Sequence, residues 1–452
     1  MNRRRILKSF GGFFLVFALV TGFSVTRYVL AHPNEPLQQN VASWARNKGM
    51  GVVVDKMEAW LHSEPPAVAP VDTLSLVPFD TDPPQIETTI PSSDSTQPQQ
   101  SSTTAKSQGS SAPAVRRPMA ATQSCPAPTN VATTTLAPGA TTTTSTTTTT
   151  TTTSSTLPGE TTTTTTTTTT LPARPLDVEA VIAPAIKGEG VWRAIAKVRK
   201  EPIIYATSIR PLWCFGSVVA TMATYDPNKV RAALFNGTEV PGGKGWRNTS
   251  SIRGSALKSL IASFNGGFRF EHEPGGYVTE GRTIRKMRKG YATFGIRADG
   301  TSTIGIWGED MHADEGWTSL RQNLPPLVAE NKSVYQSYKA VDWGQDFGNK
   351  VFNFRSAACV RTDGLMMFVA VGKVNIGMLA DTLVILGCRT AMELDINGTW
   401  PFFATYAGFG KLDRDGRTID TRMGDPDRHL HGATKDFIAL FDPETLKPGA
   451  VK

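Results

Sequence analysis

Cysteine is scarce in this 452-residue chain, which has four cysteines and no Cys-x-x-Cys pair. Structural zinc sites usually draw on such closely spaced pairs, so a zinc cluster is not expected. Gly-x-Ser-x-Gly and His-Glu-x-x-His stretches are also missing, which leaves serine-hydrolase and zincin mechanisms without support. The glycine-rich run at 242–245 lacks the Ser or Thr that a phosphate-binding loop needs after its lysine. We therefore expect no metal and no cofactor.

Charge of one sign is not in large excess, since 47 Lys and Arg face 39 Asp and Glu for a net charge of +8. We interpret the cations of the globular part as spread out, without a basic block. Nucleic-acid binding therefore has little support. The mild positive bias suits anionic polymers or phosphate-bearing substrates.

The N-terminus combines basic residues at 2–8 with an apolar run at 10–31. The run reaches the roughly 20 residues that a membrane-spanning helix needs, and the preceding positive charges stay inside. Residues 1–35 are therefore predicted to be a single-pass membrane anchor that leaves the C-terminal domain extracytoplasmic. Residues 29–31 resemble a cleavage site, so the alternative is a signal peptide whose removal gives a secreted protein.

Two segments of different composition follow the predicted anchor. Residues 36–64 are predicted to be a short amphipathic helical segment with Trp44 and Trp60 among its apolar members. Residues 65–175 are rich in Pro, Ser, Thr and Gln, and include two runs of nearly pure threonine. Such a composition cannot bury enough apolar surface to offset its chain entropy. We predict a disordered stalk here.

The remaining segment, 176–452, is long enough for one substantial core. Strand-like runs occur at 202–209 and 217–223. Asp-Gly pairs, which are hairpin signals, occur at 299–300, 363–364 and 415–416. Helical spacing of apolar residues occurs at 254–264 and 379–386. Together these patterns predict an α+β domain with a mixed, largely antiparallel sheet, hairpins and a few packed helices.

Two of the cysteines, Cys359 and Cys388, are a candidate disulfide pair. An oxidising exterior would permit such a bridge. Burial of both as small hydrophobic side chains is an equal alternative.

The stretch at 391–400 carries the acids of greatest interest. Its apolar residues Met392, Leu394 and Ile396 alternate with Glu393, Asp395 and Asn397. A period of two predicts a strand with the acids and the amide on one face, ending at the turn signal Asn397-Gly398. Because like charges on one face repel, adjacent acids favour a functional site over a purely structural strand. A solvated outer face is the alternative.

Two further stretches could contact a ligand. In the stretch from Asn265 to Arg269, Gly266 and Gly267 permit close approach of the backbone to a ligand. Arg355 precedes small residues on a predicted strand, and arginine can bind a phosphate through two hydrogen bonds. The alternatives are an ordinary loop and a surface salt bridge.

The order of these stretches resembles the phosphodiester glycosidase family. That family includes the enzyme that removes N-acetylglucosamine from a phosphodiester to uncover mannose 6-phosphate. Residues 265–268 match its Asn-Gly-Gly-Phe stretch, and 355–357 match its Arg-Thr-Ala segment. Leu394-Asp395 and Gly398-Thr399 match the two ends of its Leu-Asp-Gly-Gly-Gly-Ser turn, whereas Ile396-Asn397 replaces two glycines. The predicted anchor and stalk resemble those of a membrane-anchored actinobacterial subgroup.

The resemblance implies a hydrolase that cleaves a sugar-phosphodiester glycosidic bond in a cell-envelope glycan. Asp395 is the predicted catalytic carboxylate, with Glu393, an acid added to the family pattern, as its partner. The predicted substrate-binding residues are Asn265, Gly266, Gly267, Arg269, Arg355, Asn397 and Thr399. The predicted partners are a carbohydrate or sugar-phosphate polymer and, through the N-terminal helix, a membrane. A non-catalytic glycan- or wall-binding module on a stalk is the alternative, and a structural spacer is a third reading that leaves the acidic strand unexplained.

Overall fold

The computed structural model describes residues 20–30, 37–69, 71, 147–155, 161–169, 174–272, 274–343, 351–396, 401–406 and 416–452. The C-terminal part consists mostly of antiparallel strands with few helices, which confirms the coarser part of the fold prediction.

The strands are β1 (Thr147–Ser155), β2 (Thr161–Thr169), β3 (Arg193–Val198), β4 (Glu201–Ile209), β5 (Ala220–Tyr225), β6 (Arg231–Phe235), β7 (Leu260–Asn265), β8 (Tyr277–Thr279), β9 (Arg282–Arg285), β10 (Ala292–Arg297), β11 (Ser302–Ile306), β12 (Trp317–Gln322), β13 (Val328–Ala329), β14 (Lys332–Ser333), β15 (Asn353–Arg361), β16 (Met366–Val374), β17 (Cys388–Ile396), β18 (Phe403–Tyr406), β19 (Gly416–Thr418) and β20 (Phe437–Phe441). The α-helices with fully described bounds are Leu37–Ala45, Gly51–Leu61, Ala340–Trp343, Ile376–Ile385 and Arg428–His431. A π-helical turn covers Arg46–Met50, and 3-10 turns cover Gly254–Ser259, Phe270–His272 and Tyr335–Ser337.

The C-terminal strands form three sheets. The large sheet has the order β14-β13-β17-β15-β16-β5-β4-β3, the small sheet β19-β18-β7-β20-β6, and the outer sheet β11-β10-β12-β8-β9. In addition, β1 and β2 pair with each other in the threonine-rich region.

The main core lies where these three sheets meet. Phe264 of the small sheet lies 5.6 Å from Phe368 of the large sheet and 6.2 Å from Phe294 of the outer sheet, measured between ring centroids. All three rings are buried. Large aromatic side chains dominate core energetics, so these contacts hold the sheets in a fixed relation. That relation places the ends of β7, β15 and β17 beside one another.

A second core lies between the large sheet and the helix Ile376–Ile385. The side chain of Asn375 caps this helix by accepting a 2.9 Å hydrogen bond from the Met378 backbone nitrogen. The helix ends before Gly387, which has a φ of 76° that glycine adopts without strain. The predicted helix at 379–386 is confirmed in substance.

The hairpin predictions hold where the chain is described. The Asp-Gly pair at 299–300 joins β10 to β11, and the pair at 363–364 joins β15 to β16. Asp415 lies outside the described residues, so the third hairpin is not tested. The predicted helix at 254–264 is wrong, because only Gly254–Ser259 forms a 3-10 turn and Leu260–Asn265 is a strand. This strand pairs with β18 on one side and β20 on the other and is buried at every position, which overrides its helical spacing.

The N-terminal segments agree only in part with the sequence-based expectations. The predicted amphipathic segment is helical, and its two helices are separated at Gly49, which has a φ of 80°. Residues 20–30 are helical, but no helix in the described part of the chain is long and apolar enough to cross a membrane. Residues 1–19 and 31–36 lie outside the described residues. Most of 65–175 does too, and there the disordered stalk stays a prediction, whereas its described threonine runs pair with each other as β1 and β2.

The disulfide between Cys359 and Cys388 is present and confirms the candidate pair. Their Cα atoms are 5.7 Å apart, and both residues are buried. The bond joins the neighbouring strands β15 and β17, so it ties the two strands that carry most of the candidate site.

Candidate functional site

The three stretches that carry the family resemblance meet at one point in the structure. Asn265 donates a 3.0 Å hydrogen bond from Nδ2 to Ser356 Oγ, which in turn donates to the Asp395 carbonyl oxygen at 2.6 Å. The Asp395 backbone nitrogen donates to the Gly266 carbonyl oxygen at 3.0 Å. The ends of β7, β15 and β17 are therefore joined by direct hydrogen bonds.

A β-bulge in β17 changes the geometry expected for its two acids. Ala357 pairs with Glu393, whereas Arg355 pairs with Ile396, so both Leu394 and Asp395 lie opposite Ser356. The extra residue breaks the regular alternation and re-aims the side chains that follow it. The expected same-face pair of carboxylates is therefore not formed, and each acid has its own cationic partner.

Glu393 is paired with Arg355 inside the large sheet. Arg355 Nη1 donates to Glu393 Oε1 at 2.7 Å, and both side chains are 0% exposed. The guanidinium also donates to the carbonyl oxygens of Val374 at 2.9 Å and Val351 at 3.1 Å. This arrangement favours a structural role for both residues. Complete burial weighs against substrate contact, so the catalytic role of Glu393 and the phosphate-binding role of Arg355 stay predictions.

Asp395 is paired with Lys435, a residue that the sequence analysis did not select. Lys435 Nζ donates to Asp395 Oδ2, and the two side chains are 9% and 5% exposed. Burial raises the pKa of Asp395 above its ordinary value, and the positive charges of Lys435 and Arg269 act in the opposite direction. The Asp395 carboxylate therefore lies buried between cations in low-dielectric surroundings.

Arg269 lies beside this pair and is itself nearly buried. Its guanidinium forms an ion pair with Glu239, and its charge lowers the pKa of Asp395. Two cations, Arg269 and Lys435, therefore act on the Asp395 carboxylate.

Gly266 and Gly267 are required by packing on an internal ion pair. Arg321 donates to Asp436 from Nε at 2.9 Å and from Nη2 at 3.1 Å. A Cβ atom on Gly266 would lie 2.2 Å from Asp436 Oδ2, and one on Gly267 would lie 2.7 Å from Arg321 Nη2. The described contacts of these glycines are thus with protein atoms. Their binding of a ligand through the backbone stays a prediction.

Several residues of the site carry no distinctive sequence pattern. Ser356 sits between Arg355 and Ala357, and its hydroxyl links two strands that are distant in sequence. Lys435 and Asp436 precede the apolar strand β20, where an acid and a base look like an ordinary strand start. One signal in the sequence could have identified Lys435 and Asp436. They directly precede an apolar strand, and charges in such a buried position usually have an oppositely charged partner.

The remaining predicted positions, Asn397 and Thr399, lie outside the described residues. A buried histidine, His429, lies in the short helix Arg428–His431. Burial lowers the pKa of His429 well below its usual range, and its ring stacks 3.9 Å from Phe437. Within the described ranges, no group of three or more His, Cys, Asp or Glu side chains could hold a metal ion.

One family model matches the segment that contains these stretches. Residues 258–398 match the family model for phosphodiester glycosidase. The match includes Asn265, Arg355 and Asp395 and confirms the family resemblance for this part of the chain. Residues 258–398 are therefore similar to a phosphodiester glycosidase domain. No protein matches in the comparison with curated proteins.

Solved structures similar to this chain include three that share low sequence identity with it. The zebrafish N-acetylglucosamine-1-phosphodiester alpha-N-acetylglucosaminidase catalytic domain, auto-inhibited by its pro-peptide, is 18% identical with a TM-score of 0.36, and the match covers 55% of this chain and 87% of that one. A hypothetical protein from Synechocystis is 12% identical with a TM-score of 0.31, and the match covers 52% and 64%. A putative exported protein from Burkholderia pseudomallei is 12% identical with a TM-score of 0.31, and the match covers 50% and 74%.

Proposed function

We propose that this protein is a hydrolase that cleaves the glycosidic bond between a sugar and a phosphodiester. The observation that carries the proposal is the position of Asp395 inside the family-matched segment, next to Lys435 and under the positive charge of Arg269. A carboxylate beside cations suits a reaction in which a sugar carbon becomes positive while a phosphate leaves as an anion.

In the proposed reaction, the bond between the anomeric carbon and the phosphate oxygen breaks, and the phosphate leaves with the bonding electron pair. The Asp395 carboxylate stabilises or captures the electron-poor anomeric carbon, and a water molecule completes the hydrolysis. Because the leaving phosphate is already a stable anion, strong proton donation to it is unnecessary. Asp395 therefore acts in its ionised form.

Arg269 and Lys435 take the phosphate-binding role in this proposal. Arg355 is fully buried and donates to Glu393 and to two backbone carbonyls. Arg269 and Lys435, by contrast, both act electrostatically on Asp395. Charge-assisted hydrogen bonds to a phosphate are among the stronger polar contacts in proteins.

We also propose that the domain acts outside the cytoplasmic membrane on a cell-envelope glycan. The basic N-terminus followed by an apolar run supports export. The Cys359–Cys388 disulfide supports an oxidising compartment. The chain then either stays anchored or is secreted after signal cleavage. Protease treatment of intact cells should digest the C-terminal domain, or the domain should appear in the medium, and protection inside the cell would contradict export.

The test of the activity uses the full chain and a sugar 1-phosphodiester, with release of free sugar as the readout. Asp395→Asn should lower kcat by roughly 10²–10³-fold, the usual loss when one electrostatic stabiliser of a transition state is removed. Asp363→Asn is the matched control, because Asp363 accepts hydrogen bonds from Arg361 near the surface, away from Asp395. Equal rates for wild type and Asp395→Asn, both with native melting profiles, would remove Asp395 from the chemistry.

A glycan-binding module without catalysis remains the second candidate. Ile396 stands where the family motif has a glycine, so a side chain lies next to Asp395 in the turn. Retention of a sugar-phosphate polymer without any release of sugar after prolonged incubation would favour this candidate over the hydrolase.

A further inference from the structure

The outer sheet carries a basic segment, although the sequence analysis expected the cations of the globular part to be spread out. Cations make up five of the eight residues between 282 and 289, namely Arg282, Arg285, Lys286, Arg288 and Lys289. The segment begins with β9, which lies at the edge of the outer sheet and, among the described strands, pairs with β8. The expectation of no basic block in the globular part is therefore wrong at this edge.

Three arginines of this segment each lie over an aromatic ring. The guanidinium-to-centroid distances are 3.7 Å for Arg282 over Trp246, 5.0 Å for Arg285 over Phe270 and 4.3 Å for Arg288 over Tyr291. We call Arg282, Arg285 and Arg288 the arginine row. Stacking holds a guanidinium in a defined orientation while its edge donors remain available to an anion.

Acidic side chains neutralise this row only weakly. Glu280 is 3.7 Å from Arg282, but its carboxylate accepts shorter bonds of 2.7 Å from the Arg247 backbone nitrogen and 2.8 Å from that of Asn248. Among the described residues, Arg285 and Arg288 have no carboxylate within ion-pair distance. Within the part of the chain that the structure describes, the surface therefore presents oriented positive charge with few carboxylate partners.

Protection of an exposed sheet edge is the simpler reading of cations on β9. That role requires only that charge discourage pairing with another strand, and freely moving lysines fulfil it. Edge protection does not explain why arginine occurs at every third position, or why each of these arginines stacks on an aromatic ring. The repeated stack indicates a surface that holds a ligand with repeated negative charges.

The arginine row also adjoins the candidate site. Arg285 Nη1 donates a 3.0 Å hydrogen bond to the Phe270 carbonyl oxygen, and Phe270 directly follows Arg269. The Phe270 ring lies 6.0 Å from the guanidinium of Arg321, which pairs with Asp436 beside Lys435. A chain bound along the row can therefore continue towards Asp395.

We propose that the arginine row binds a phosphodiester-linked sugar polymer and directs it towards Asp395. The sugar component of this ligand rests on the proposed function. The row suits repeated phosphates, because Arg282 and Arg285 are about 10 Å apart along the strand and each is stacked on its own ring. The polymer is held at several points, and one of its sugar-phosphate linkages lies at the carboxylate.

The experiment measures binding of fluorescent poly(N-acetylglucosamine 1-phosphate) to the full chain by anisotropy. All proteins carry Asp395→Asn, so binding is read without turnover, and failure of the hydrolase proposal would not change the result. The test variant is Arg282→Gln/Arg285→Gln/Arg288→Gln. The matched control is Lys187→Gln/Lys258→Gln/Lys447→Gln, which removes the same charge from exposed positions elsewhere.

The test variant should bind the polymer about tenfold more weakly, since each exposed charge contact contributes modestly, and its affinity should depend less on salt. The control should bind as the parent does. If the test variant melts abnormally, Lys286→Gln/Lys289→Gln serves in its place, because these exposed lysines extend the same surface without stacking. Its expected loss is about threefold.

Equal losses in the test and control variants would overturn the proposal, because net charge alone would then explain binding. Unchanged affinity in the test variant would overturn it as well. Single-stranded DNA of the same charge is a further comparison. If it binds as tightly as the sugar polymer, the row does not select sugar phosphates, and the proposal is contradicted.

Discussion

The buried pair of Glu393 and Arg355 gives the sharpest stability prediction. In Glu393→Gln, the Arg355 guanidinium would keep the backbone carbonyl acceptors of Val374 and Val351 but lose the Glu393 carboxylate. Both side chains are 0% exposed, so water cannot replace that carboxylate. Removing one partner of such a buried pair costs about 3–5 kcal/mol of unfolding free energy. At about 2–4 °C per kcal/mol for a domain of this size, the melting temperature should fall by roughly 6–20 °C.

The assay is urea and thermal unfolding of the full chain, followed through the C-terminal domain. Asp363→Asn is the control, because its ion pair with Arg361 is partly exposed and should contribute no more than about 1 kcal/mol. Replacing both partners, as Arg355→Met/Glu393→Leu, should recover much of the loss, because no unpaired charge stays buried. Full stability of Glu393→Gln together with a large fall in turnover would refute this reasoning and make Glu393 a catalytic residue.

Three further predictions concern the same region. Gly266→Ala should lower the unfolding free energy by about 1–3 kcal/mol in thermal melts, because the added Cβ would lie 2.2 Å from Asp436 Oδ2. Replacing Cys359 and Cys388 by alanine should lower it by about 3–4 kcal/mol in urea titrations, since the bond closes a 29-residue separation. Burial raises the pKa of Asp395 above 3.8, so its protonated form contributes stability that is present below pH 3.8 and lost as the pH rises through the folded-state pKa. In urea titrations, the unfolding free energy of wild type relative to Asp395→Asn should therefore fall as the pH rises from 3.8 through the folded-state pKa of Asp395.

Each of these predictions has an outcome that contradicts it. Gly51→Ala is the control for Gly266→Ala, because nothing lies within 4 Å of its added Cβ, and equal melting of the two variants would show that Asp436 moves freely. Identical urea midpoints with and without the disulfide would mean that it does not constrain the unfolded chain. If the unfolding free energy of wild type relative to Asp395→Asn instead rises with pH above 3.8, the charge of Lys435 lowers the pKa of Asp395 more than burial raises it.

Much of the fold follows from local sequence patterns. The alternation in β17 and the Asp-Gly pairs at 299–300 and 363–364 correctly predicted a strand and two hairpins, because period-two patterns and φ-positive turn residues act within a few positions. The segment 254–264 failed, since its apolar spacing fits a helix as well as a strand buried on both faces. Pairing with β18 and β20 decides between them, and that contact is not local.

The candidate site was less accessible to sequence reasoning for the same reason. Asp395 and Asn265 could be selected from short motifs, and Ser356 links them in the structure. The partners of the acids could not, because the bulge opposite Ser356 separates Glu393 from Asp395 and depends on register with β15. Lys435 reaches Asp395 only through the docking of β20 beside β7.

The central claim is that the enzyme breaks the bond between the anomeric carbon and oxygen, and that the phosphorus–oxygen bond stays intact. Hydrolysis of a sugar 1-phosphodiester by the full chain in ¹⁸O-labelled water tests it directly, with mass spectrometry of the released phosphomonoester. The account predicts a phosphate product that carries no ¹⁸O. Incorporation of ¹⁸O into that phosphate would show attack at phosphorus and would contradict the account.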